Sequence, residues 1–536
     1  MRGNDRKILL VLLACVVCVL LSSGCSRDSA AHRDPSVLRI SVGTEPSKLD
    51  PGKAYDTSDG IYINMLFEGL VSMDAEGRLV PAAAESWDIS ADQCTYIFHL
   101  RPNQWSNGEP VTARDFEYSW KRILDPQQAS PFAYFLYAVV GAEEYNKGQG
   151  TREEVGIQVL DDHTLEVRLK QAVPYFLMLC ANMSLMPVCA DVDEQNEKWA
   201  AQADTLVVNG PFKLVSWKHY NHMVLTKNEF YWDRDSVKLS RIEAVLVDSA
   251  ATRKALFDQG EIDFAMNVPL AALLRHQQEG NVAMVDAPWS EFIECNQRQP
   301  PLDDVRVRRA FALAMECDVY ADAIEHGSAP AAYALVPSGI LDPVTGQDFR
   351  EEAGDLFHQD ITEAKRLLAE AGYPDGEGFP PVTLLYNGDN LEKQMYCEAL
   401  QQMWQKNLGV EVELRNQEWP VFNQSREMGQ FQMAFFGYCA DYLDPMTFLD
   451  YWMTDNPNNC SGYSNPQFDA LLKIAQNSGD QAVRMQAMHD AEKIAIDDMA
   501  ALPTSFRQAK YSVYPYVRGV VLSGVMVYFK DAWIDP

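Results

Sequence analysis

One segment near the end of the chain constrains the fold more than any other. Residues 431–438 are almost entirely apolar, so both faces of a strand formed there would be buried. That pattern is typical of a central strand in a sheet that helices cover on both sides. The Asp444–Pro445 pair that follows predicts a helix with Asp444 as its cap and Pro445 at its first position. The segment therefore predicts a strand–helix unit of an α/β sheet.

Asp441 lies between these two predicted elements, and no structural role for it is evident from the sequence. A turn or a secondary cap is the alternative interpretation. The carboxyl end of a buried strand is where open α/β sheets bind ligands. We therefore expect the Asp441 carboxylate to contact a ligand.

Helices and strands alternate from about residue 303 onward. Asp360 predicts a helix cap, Glu363 predicts a capping box with it, and Gly372 predicts the end of that helix. The predicted elements are a helix over 361–371, a strand over 382–387, a helix over 391–408, a strand over 410–414 and a helix over 481–498. This alternation predicts an α/β lobe with parallel strands.

Size and charge narrow the class of protein. At 536 residues the chain is too long for a single core, so two or three domains are expected. The 76 acidic residues exceed the 45 basic ones and give a net charge of −31. Nucleic-acid binding requires basic residues that neutralise phosphates, so no nucleic acid is expected as a partner. A soluble, strongly acidic surface accounts for the surplus, and a cationic ligand is the alternative interpretation.

The N-terminus is typical of a targeting segment. Basic residues precede an apolar stretch over 8–21 that is too short to span a membrane, which predicts a signal peptide over 1–24. Cys25 follows Gly24 at the expected cleavage point and predicts lipid attachment, with residues 25–36 as a tether. Ordinary secretory cleavage is the alternative. Either interpretation predicts a protein of the periplasm or cell surface.

The sequence lacks the common catalytic motifs. It contains no H-E-x-x-H, G-x-S-x-G or G-x-G-x-x-G pattern, and no C-x-x-C after the targeting segment. His219 and His222 are interpreted as residues of one strand on opposite faces, so they are not expected to share a metal. We therefore expect no cofactor and no metal, although a secreted hydrolase with a carboxylate pair formed in the fold stays an alternative.

Several motifs, in order, resemble those of one family. They are AAESW at 83–87, WSNGEPVTARDF at 105–116, DDHTLEV at 161–167, NGPF at 209–212, PPLDDVRVR at 300–308 and NQEW at 416–419. The set is similar to the extracytoplasmic solute-binding proteins of family 5, the oligopeptide-binding proteins of ABC importers.

The resemblance implies an α/β clamshell of the periplasmic-binding-protein type, with two lobes joined by hinge strands and a smaller α+β domain. The implied division is lobe I over 37–57, 181–290 and 506–536, an extra domain II over 58–180, and lobe III over 291–505. The resemblance also implies an oligopeptide ligand, an ABC permease as partner, a monomer and no catalysis.

Site residues follow from the same resemblance. Asp441 takes the position of an aspartate that binds a peptide's terminal ammonium, and Trp419 that of a pocket-wall tryptophan. Glu45 matches a segment of the first lobe that bonds the peptide backbone, and Arg426 an arginine that meets acidic ligand groups. The alternatives are a core position for Trp419, an exposed turn for Glu45, and pairing of Arg426 with Glu427 or solvent.

The remaining positions depart from the family or are less defined. Tyr438 stands where relatives have tryptophan, next to Cys439, and Phe506 stands for a tyrosine. Phe435 replaces an arginine, and Glu392 a histidine, that together hold a peptide's C-terminal carboxylate. A carboxylate facing another carboxylate is unfavourable, so C-terminal anchoring is left open. A cell-wall peptide, a metal chelate or a sugar is the alternative ligand.

Overall fold

A computed structural model describes residues 34–535, except 55, 75–76, 324–328, 389–390 and 524–525. The predicted signal peptide and Cys25 lie outside the described residues. Within them the α-helices are α1 (Thr57–Leu66), α2 (Ala113–Ile123), α3 (Ala142–Asn146), α4 (Phe176–Cys180), α5 (Ala190–Gln195), α6 (Ala250–Asp258), α7 (Leu270–Gln278), α8 (Val305–Leu313), α9 (Cys317–Ala323), α10 (Phe349–Ala353), α11 (Ile361–Glu370), α12 (Leu391–Leu408), α13 (Trp419–Glu427), α14 (Met446–Leu449), α15 (Pro466–Asn477) and α16 (Gln481–Asp497).

The described strands are β1 (Val37–Ser41), β2 (Val71–Met73), β3 (Leu79–Pro81), β4 (Ala84–Ile89), β5 (Thr95–Leu100), β6 (Ile157–Asp161), β7 (Thr164–Arg168), β8 (Phe212–Lys218), β9 (His222–Lys227), β10 (Arg241–Val245), β11 (Phe264–Met266), β12 (Val282–Cys295), β13 (Val382–Asn387), β14 (Val412–Gln417), β15 (Met433–Cys439), β16 (Ala501–Val513), β17 (Val517–Arg518), β18 (Val521–Ser523), β19 (Met526–Tyr528) and β20 (Trp533–Ile534).

One continuous sheet links both halves of the chain. Its strand order is β14-β13-β15-β12-β16-β11-β1-β10-β9-β8. Strand β13 pairs in parallel with β14 and β15, which confirms the parallel arrangement predicted from the alternating pattern. A separate sheet of order β4-β5-β7-β6 belongs to the segment predicted as the extra domain. Two lobes and a smaller α+β unit therefore agree with the predicted fold class.

Two long strands cross from one lobe to the other. Strands β12 and β16 have 14 and 13 residues and pair antiparallel. Their register is interrupted between Asp286 and Ser290, where Pro288 lacks the N–H that a ladder requires. On one side of the interruption β16 pairs with β11, and on the other β12 pairs with β15. The predicted lobe boundaries at 290/291 and 505/506 fall within these strands; the complete set of domain boundaries stays a prediction.

Each lobe has its own apolar core. One cluster joins the first lobe to the extra domain and contains Ile40, Phe98 and Trp120, all fully buried. The other fills lobe III around Trp404 and Met433, which are also fully buried. Because the two clusters are separate, the surfaces between them can part without exposing either core.

Local signals place most of the lobe III elements. The Asp360 carboxylate accepts a hydrogen bond from the Glu363 backbone N–H at 2.9 Å and begins α11 as predicted. The reciprocal half of the predicted capping box does not form, because the Glu363 side chain binds Arg366. Asp444 accepts from the Met446 backbone N–H at 2.9 Å, and α14 begins one residue later than predicted.

None of the described helices is both long and apolar enough to cross a membrane.

Candidate functional site

Three predicted site positions follow three neighbouring strands. The parallel strands β13, β14 and β15 end at the same edge of the sheet, and the chain continues into α12, α13 and the 440–445 loop respectively. Glu392 lies in the first turn of α12, Trp419 begins α13, and Asp441 lies in the loop. The carboxyl edge of such a sheet is a common ligand site, and the sequence placed Asp441 there correctly.

Phenol groups surround the Asp441 carboxylate. The Tyr438 hydroxyl donates to Asp441 Oδ2 at 2.9 Å, and the phenol of Tyr134 from the extra domain is close enough to lower the pKa of the carboxyl. The Asp441 backbone N–H donates to Thr447 Oγ1 at 3.3 Å, which orients the loop. No lysine or arginine of the described chain pairs with this carboxylate. Burial raises the pKa of Asp441 above its usual value, and the two phenols oppose that rise.

Asp441 forms part of the wall of a cavity of about 130 Å³. The wall combines the 440–443 loop and Pro288 of the crossing strand with residues from α1, from the 178–183 region and from β19. A neighbouring cavity of about 410 Å³ shares part of this wall. The site therefore lies where the two lobes and the extra domain meet.

A second carboxyl group, that of Asp450, is electrostatically coupled to Asp441. Burial, followed by the charges of Asp441 and Asp444, raises the pKa of Asp450 to about 8, although a hydrogen bond from Tyr442 opposes the shift. The Tyr442 ring stacks on Tyr175 of the extra domain with centroids 4.5 Å apart. Additional positive charge near Asp441 would stabilise the ionised form of both carboxylates.

Asp444 has a different role from Asp441. Its two carboxylate oxygens accept hydrogen bonds from the guanidinium of Arg484, at 2.5 and 2.7 Å, and both side chains are buried. The pair joins the 440–445 loop to α16 and holds the loop against lobe III. The interaction is structural and does not involve Asp441, which lines the cavity.

Tyr438 and Cys439 flank the site on β15. The Tyr438 ring packs against Phe448 and Tyr451, with centroids 5.8 and 5.1 Å away, so it is both a core residue and a donor to Asp441. Burial raises the pKa of the Cys439 thiol to about 12. The thiol is therefore neutral at physiological pH and is suited to packing rather than to nucleophilic attack.

Trp419 and Arg426 lie together on α13 but differ in exposure. The Trp419 side chain is 46% exposed and stacks on Phe436 with centroids 6.3 Å apart. Arg426 is buried, with its guanidinium 3.6 Å from the centre of the Phe436 ring and its Nε 3.1 Å from Glu294. Arg426 thus has a carboxylate partner in the protein, other than the Glu427 considered from sequence.

Phe435 and Glu392, the two positions that bear on C-terminal anchoring, belong to the same lobe as Asp441. Phe435 is buried against Tyr396 of α12, with centroids 5.1 Å apart, and the Lys393 ammonium lies 5.5 Å from its ring centre. Glu392 is helical, but its side chain lies outside the described set. Phe506 is buried on β16 against Ala332 and Ala334. Ligand contact by these three residues stays a prediction.

Glu45 lies at a different cavity. Its carboxylate binds His219 Nδ1 at 2.5 Å and accepts from the Tyr220 backbone N–H at 3.2 Å. The interpretation of His219 as a strand residue was wrong, because β8 ends at Lys218 and His219 lies in the turn before β9. This cavity shares no lining residue with the one at Asp441. The two predicted ligand contacts are therefore not brought together.

Sequence reasoning missed Tyr134, Asp450 and Arg484. Tyr134 comes from a remote part of the chain, so no local spacing connects it to Asp441. Arg484 lies 40 residues from Asp444, and nothing in the sequence distinguishes it from any other basic residue of a helix. Only Asp450 offered a signal, as an acidic residue in an otherwise apolar stretch.

Comparison with known proteins gives consistent matches over nearly the whole chain. The dipeptide-binding protein DppE of Bacillus subtilis (strain 168) is 35% identical over 512 residues, 95% of this chain and 94% of that protein. The unliganded open form of the murein tripeptide binding protein MppA has a TM-score of 0.82 at 29% identity, covering 94% of this chain and 98% of that one.

A peptide complex is similar but superposes less well. Haemophilus influenzae OppA with the peptide RPPGFSPFR has a TM-score of 0.73 at 29% identity, covering 94% of this chain and 100% of that one. A model of the family described as bacterial extracellular solute-binding proteins, family 5 middle, matches residues 78–460. This chain belongs to family 5 of the bacterial extracellular solute-binding proteins.

Proposed function

We propose that this protein captures oligopeptides between its lobes, outside the cytoplasm, and delivers them to the permease of an ABC importer. The carboxylate of Asp441 carries the proposal, because it is largely buried at an interlobe cavity and its described side-chain partners are neutral phenols. A ligand that supplies an ammonium group completes this site. The names of the relatives, which refer to dipeptides and oligopeptides, favour a peptide as that ligand.

Recognition of many peptides depends on groups that all peptides share. The terminal ammonium would donate to Asp441, and a hydrogen bond to a charged group contributes about 1.5–3 kcal/mol. An extended peptide can also pair with strand edges through its backbone, independently of its sequence. Trp419, Tyr438, Cys439, Glu45, Arg426, Phe435, Glu392 and Phe506 remain proposed contacts of the rest of the ligand.

Binding would require the two lobes to close toward each other around the ligand. The described conformation superposes better on an open, unliganded relative than on a peptide complex. The interruption at Pro288 in the crossing strands supplies a place where the backbone can bend. Closure around the peptide would remove water from the Asp441 site and strengthen its electrostatic interactions.

The membrane anchor is part of the proposal. Lipid attached to Cys25 would tether a monomer to the membrane through residues 25–36 and keep it near its permease. A Cys25→Ser variant should then move from the membrane fraction to the soluble fraction, whereas retention at the membrane would contradict lipid anchoring at this residue.

A Ser–His–Asp chain bears on the hydrolase alternative. His276 Nδ1 lies 2.8 Å from Ser512 Oγ, and His276 Nε2 lies 2.8 Å from Asp258 Oδ1. Ser512 and His276 have no exposed surface, so a substrate carbonyl cannot reach the hydroxyl. The chain is suited to linking α6 and α7 to the crossing strand β16, and it gives no support to hydrolysis.

Two measurements test the proposed function. Native mass spectrometry of the protein as purified should reveal a peptide mass, whereas a sugar or metal chelate would support the alternative ligands. Calorimetry should then compare one peptide with a free and with an acetylated N-terminus. We expect the acetylated peptide to bind at least about tenfold more weakly, because it lacks the charge that Asp441 holds. Equal affinities would reject the ammonium site.

A further inference from the structure

Methionine dominates the apolar wall of the cavity beside Asp441. Met73 comes from β2, Met178 from α4, Met183 from the short helical turn that follows α4, and Met526 from β19. The four side chains thus converge from four separate elements. The site therefore combines the carboxylate of Asp441 with an apolar wall made largely of methionine side chains.

Methionine walls accept apolar groups of varied shape. The thioether side chain is flexible and polarisable, so it adapts to irregular partners. The cavity of about 130 Å³ is close in size to an apolar cavity of about 150 Å³ that holds a benzene molecule. The neighbouring cavity of about 410 Å³ shares Asn64, Met73, Ala181 and Tyr528 with it and gives room for a longer group.

We propose that the side chain of a peptide's first residue enters this methionine-lined cavity, so that the protein selects peptides beginning with leucine, methionine or phenylalanine. The inference rests on the proposed function, in which Asp441 holds the terminal ammonium. The ammonium and the first side chain are attached to the same Cα atom, so anchoring one places the other at the cavity wall.

The charge at the site disfavours an acidic first side chain. An acidic first side chain would lie close to Asp441, and like charges at short range repel each other. The described wall residues of the 130 Å³ cavity include no lysine or arginine that could compensate. A carboxylate there would also lose its hydration without a partner. Peptides that begin with glutamate should therefore bind more weakly than those that begin with glycine.

Gly60 provides a substitution that alters the cavity without touching the carboxylates. A Cβ atom at Gly60 would lie 2.8 Å from Met183 Sδ and 3.2 Å from Met526 Cε. Both atoms belong to the flexible outer parts of side chains that line the cavity, so a Gly60→Ala change should displace these side chains and change the shape of the cavity. Gly60 lies inside α1, where alanine is more favourable than glycine, so the variant should fold.

Calorimetry with tetrapeptides X-Ala-Ala-Ala, where X is Leu, Met, Phe, Gly or Glu, tests the inference. We expect leucine at X to improve Kd roughly ten- to a hundredfold over glycine, the gain from burying one large apolar side chain. In Gly60→Ala the ratio of the glycine-peptide Kd to the leucine-peptide Kd should fall below about threefold. The Kd of the glycine peptide itself should change by no more than about twofold. Met428→Gln is the matched control, because Met428 is 61% exposed and outside the cavity, and it should leave both values unchanged.

Three outcomes would overturn the inference. The first is equal affinity of the unmodified protein for the leucine and glycine peptides. The second is an equal loss of affinity for both peptides in Gly60→Ala. Absence of binding for every peptide would reject the proposed function as well, which separates the two failures. If circular dichroism shows that Gly60→Ala is misfolded, Met178→Gln replaces it, since that change makes the partly exposed wall polar and should reduce the same ratio.

Discussion

Asp441 and Asp444 are separated by two residues, yet the structure uses them in different ways. Asp444 is buried with the guanidinium of Arg484, which matches both of its oxygens. Asp441 accepts a hydrogen bond from the phenol of Tyr438 and lines a cavity. A buried carboxylate that is paired with a protein countercharge depends on that partner for stability, whereas one without a protein countercharge is available to a cationic ligand. Both residues are aspartates of the same loop, so their different roles result from their different partners.

The largest expected effect comes from removing the countercharge of Asp444. Arg484→Met would leave a buried carboxylate unpaired, so we expect the free energy of unfolding to fall by roughly 3–5 kcal/mol. Urea denaturation of the empty protein measures this change. Peptide affinity, measured where the variant is folded, should change much less.

A double variant and a surface control sharpen that result. Arg484→Met combined with Asp444→Leu should recover most of the lost stability, because both charges are then absent. Arg366→Met removes an exposed arginine of α11 that pairs with Glu363 and should have little effect on stability. A double variant as unstable as the single one would show that Arg484 acts mainly by packing.

Removing the charge of Asp441 should weaken peptide binding and leave the stability of the protein nearly unchanged, in contrast to the Arg484 variant. Asp441→Asn removes the charge that would hold the ligand ammonium, so we expect Kd to rise roughly ten- to a hundredfold. Stability of the empty protein should be unchanged or slightly higher, because burial disfavours the ionised carboxyl. Calorimetry and thermal melting of one preparation measure both effects. A large loss of stability with intact binding would assign Asp441 to the same structural class as Asp444.

Asp450 should make the stability of the empty protein depend on pH. Its pKa is raised to about 8, above about 3.9 for the unfolded chain, so the folded state retains the proton longer. The resulting stability is complete below about pH 4 and is lost as the pH rises through about 8. We expect the Tm of the empty protein to decrease between pH 5 and 8.

Asp450→Asn is the matched variant for this pH dependence and should flatten the decrease in Tm. Binding of a cationic ligand should release protons near neutral pH, because added positive charge favours ionised Asp450 and Asp441. Calorimetry in two buffers with different ionisation enthalpies measures that release. An unchanged pH profile in the variant would contradict the assigned shift.

The smallest effect should come from the phenol that donates to Asp441. Tyr438→Phe removes one hydrogen bond that lowers the pKa of Asp441, so less of the carboxylate is ionised and binding should weaken a few-fold. Calorimetry at pH 6 and 8 should show the larger loss at the lower pH. Tyr463→Phe, on a phenol that binds Asp498 elsewhere in lobe III, is the control and should leave affinity unchanged.

Local sequence signals predicted much of lobe III. The bounds of β13 and α12 are those expected, and the Asp360 cap begins α11, because capping groups and apolar periodicity act within a few residues. Strand β14 begins two residues later than predicted, after Gly409 has ended α12 in a left-handed conformation with φ 72°. Errors of this size arise where a turn and a strand share apolar residues.

Partners from distant parts of the chain were beyond such reasoning. The carboxylate of Glu45 binds His219, which lies 174 residues away, and peptide contact by Glu45 stays a prediction. Arg426 was weighed against its neighbour Glu427, but its partner is Glu294 on the crossing strand. Long side chains choose partners by proximity in the fold, and no spacing in the sequence records that proximity.

The amino-acid sequence alone determined the α/β class, the parallel strands of lobe III and the position of Asp441 after a buried strand, since apolar patterns and caps act locally. The tertiary structure alone decided that Arg484 would neutralise Asp444, that phenols would surround Asp441, and that methionines from four elements would line one cavity. Those features depend on which surfaces of separate lobes meet. The free energy of burying a charge or an apolar side chain depends on the residues around it, and only the complete fold determines which residues those are.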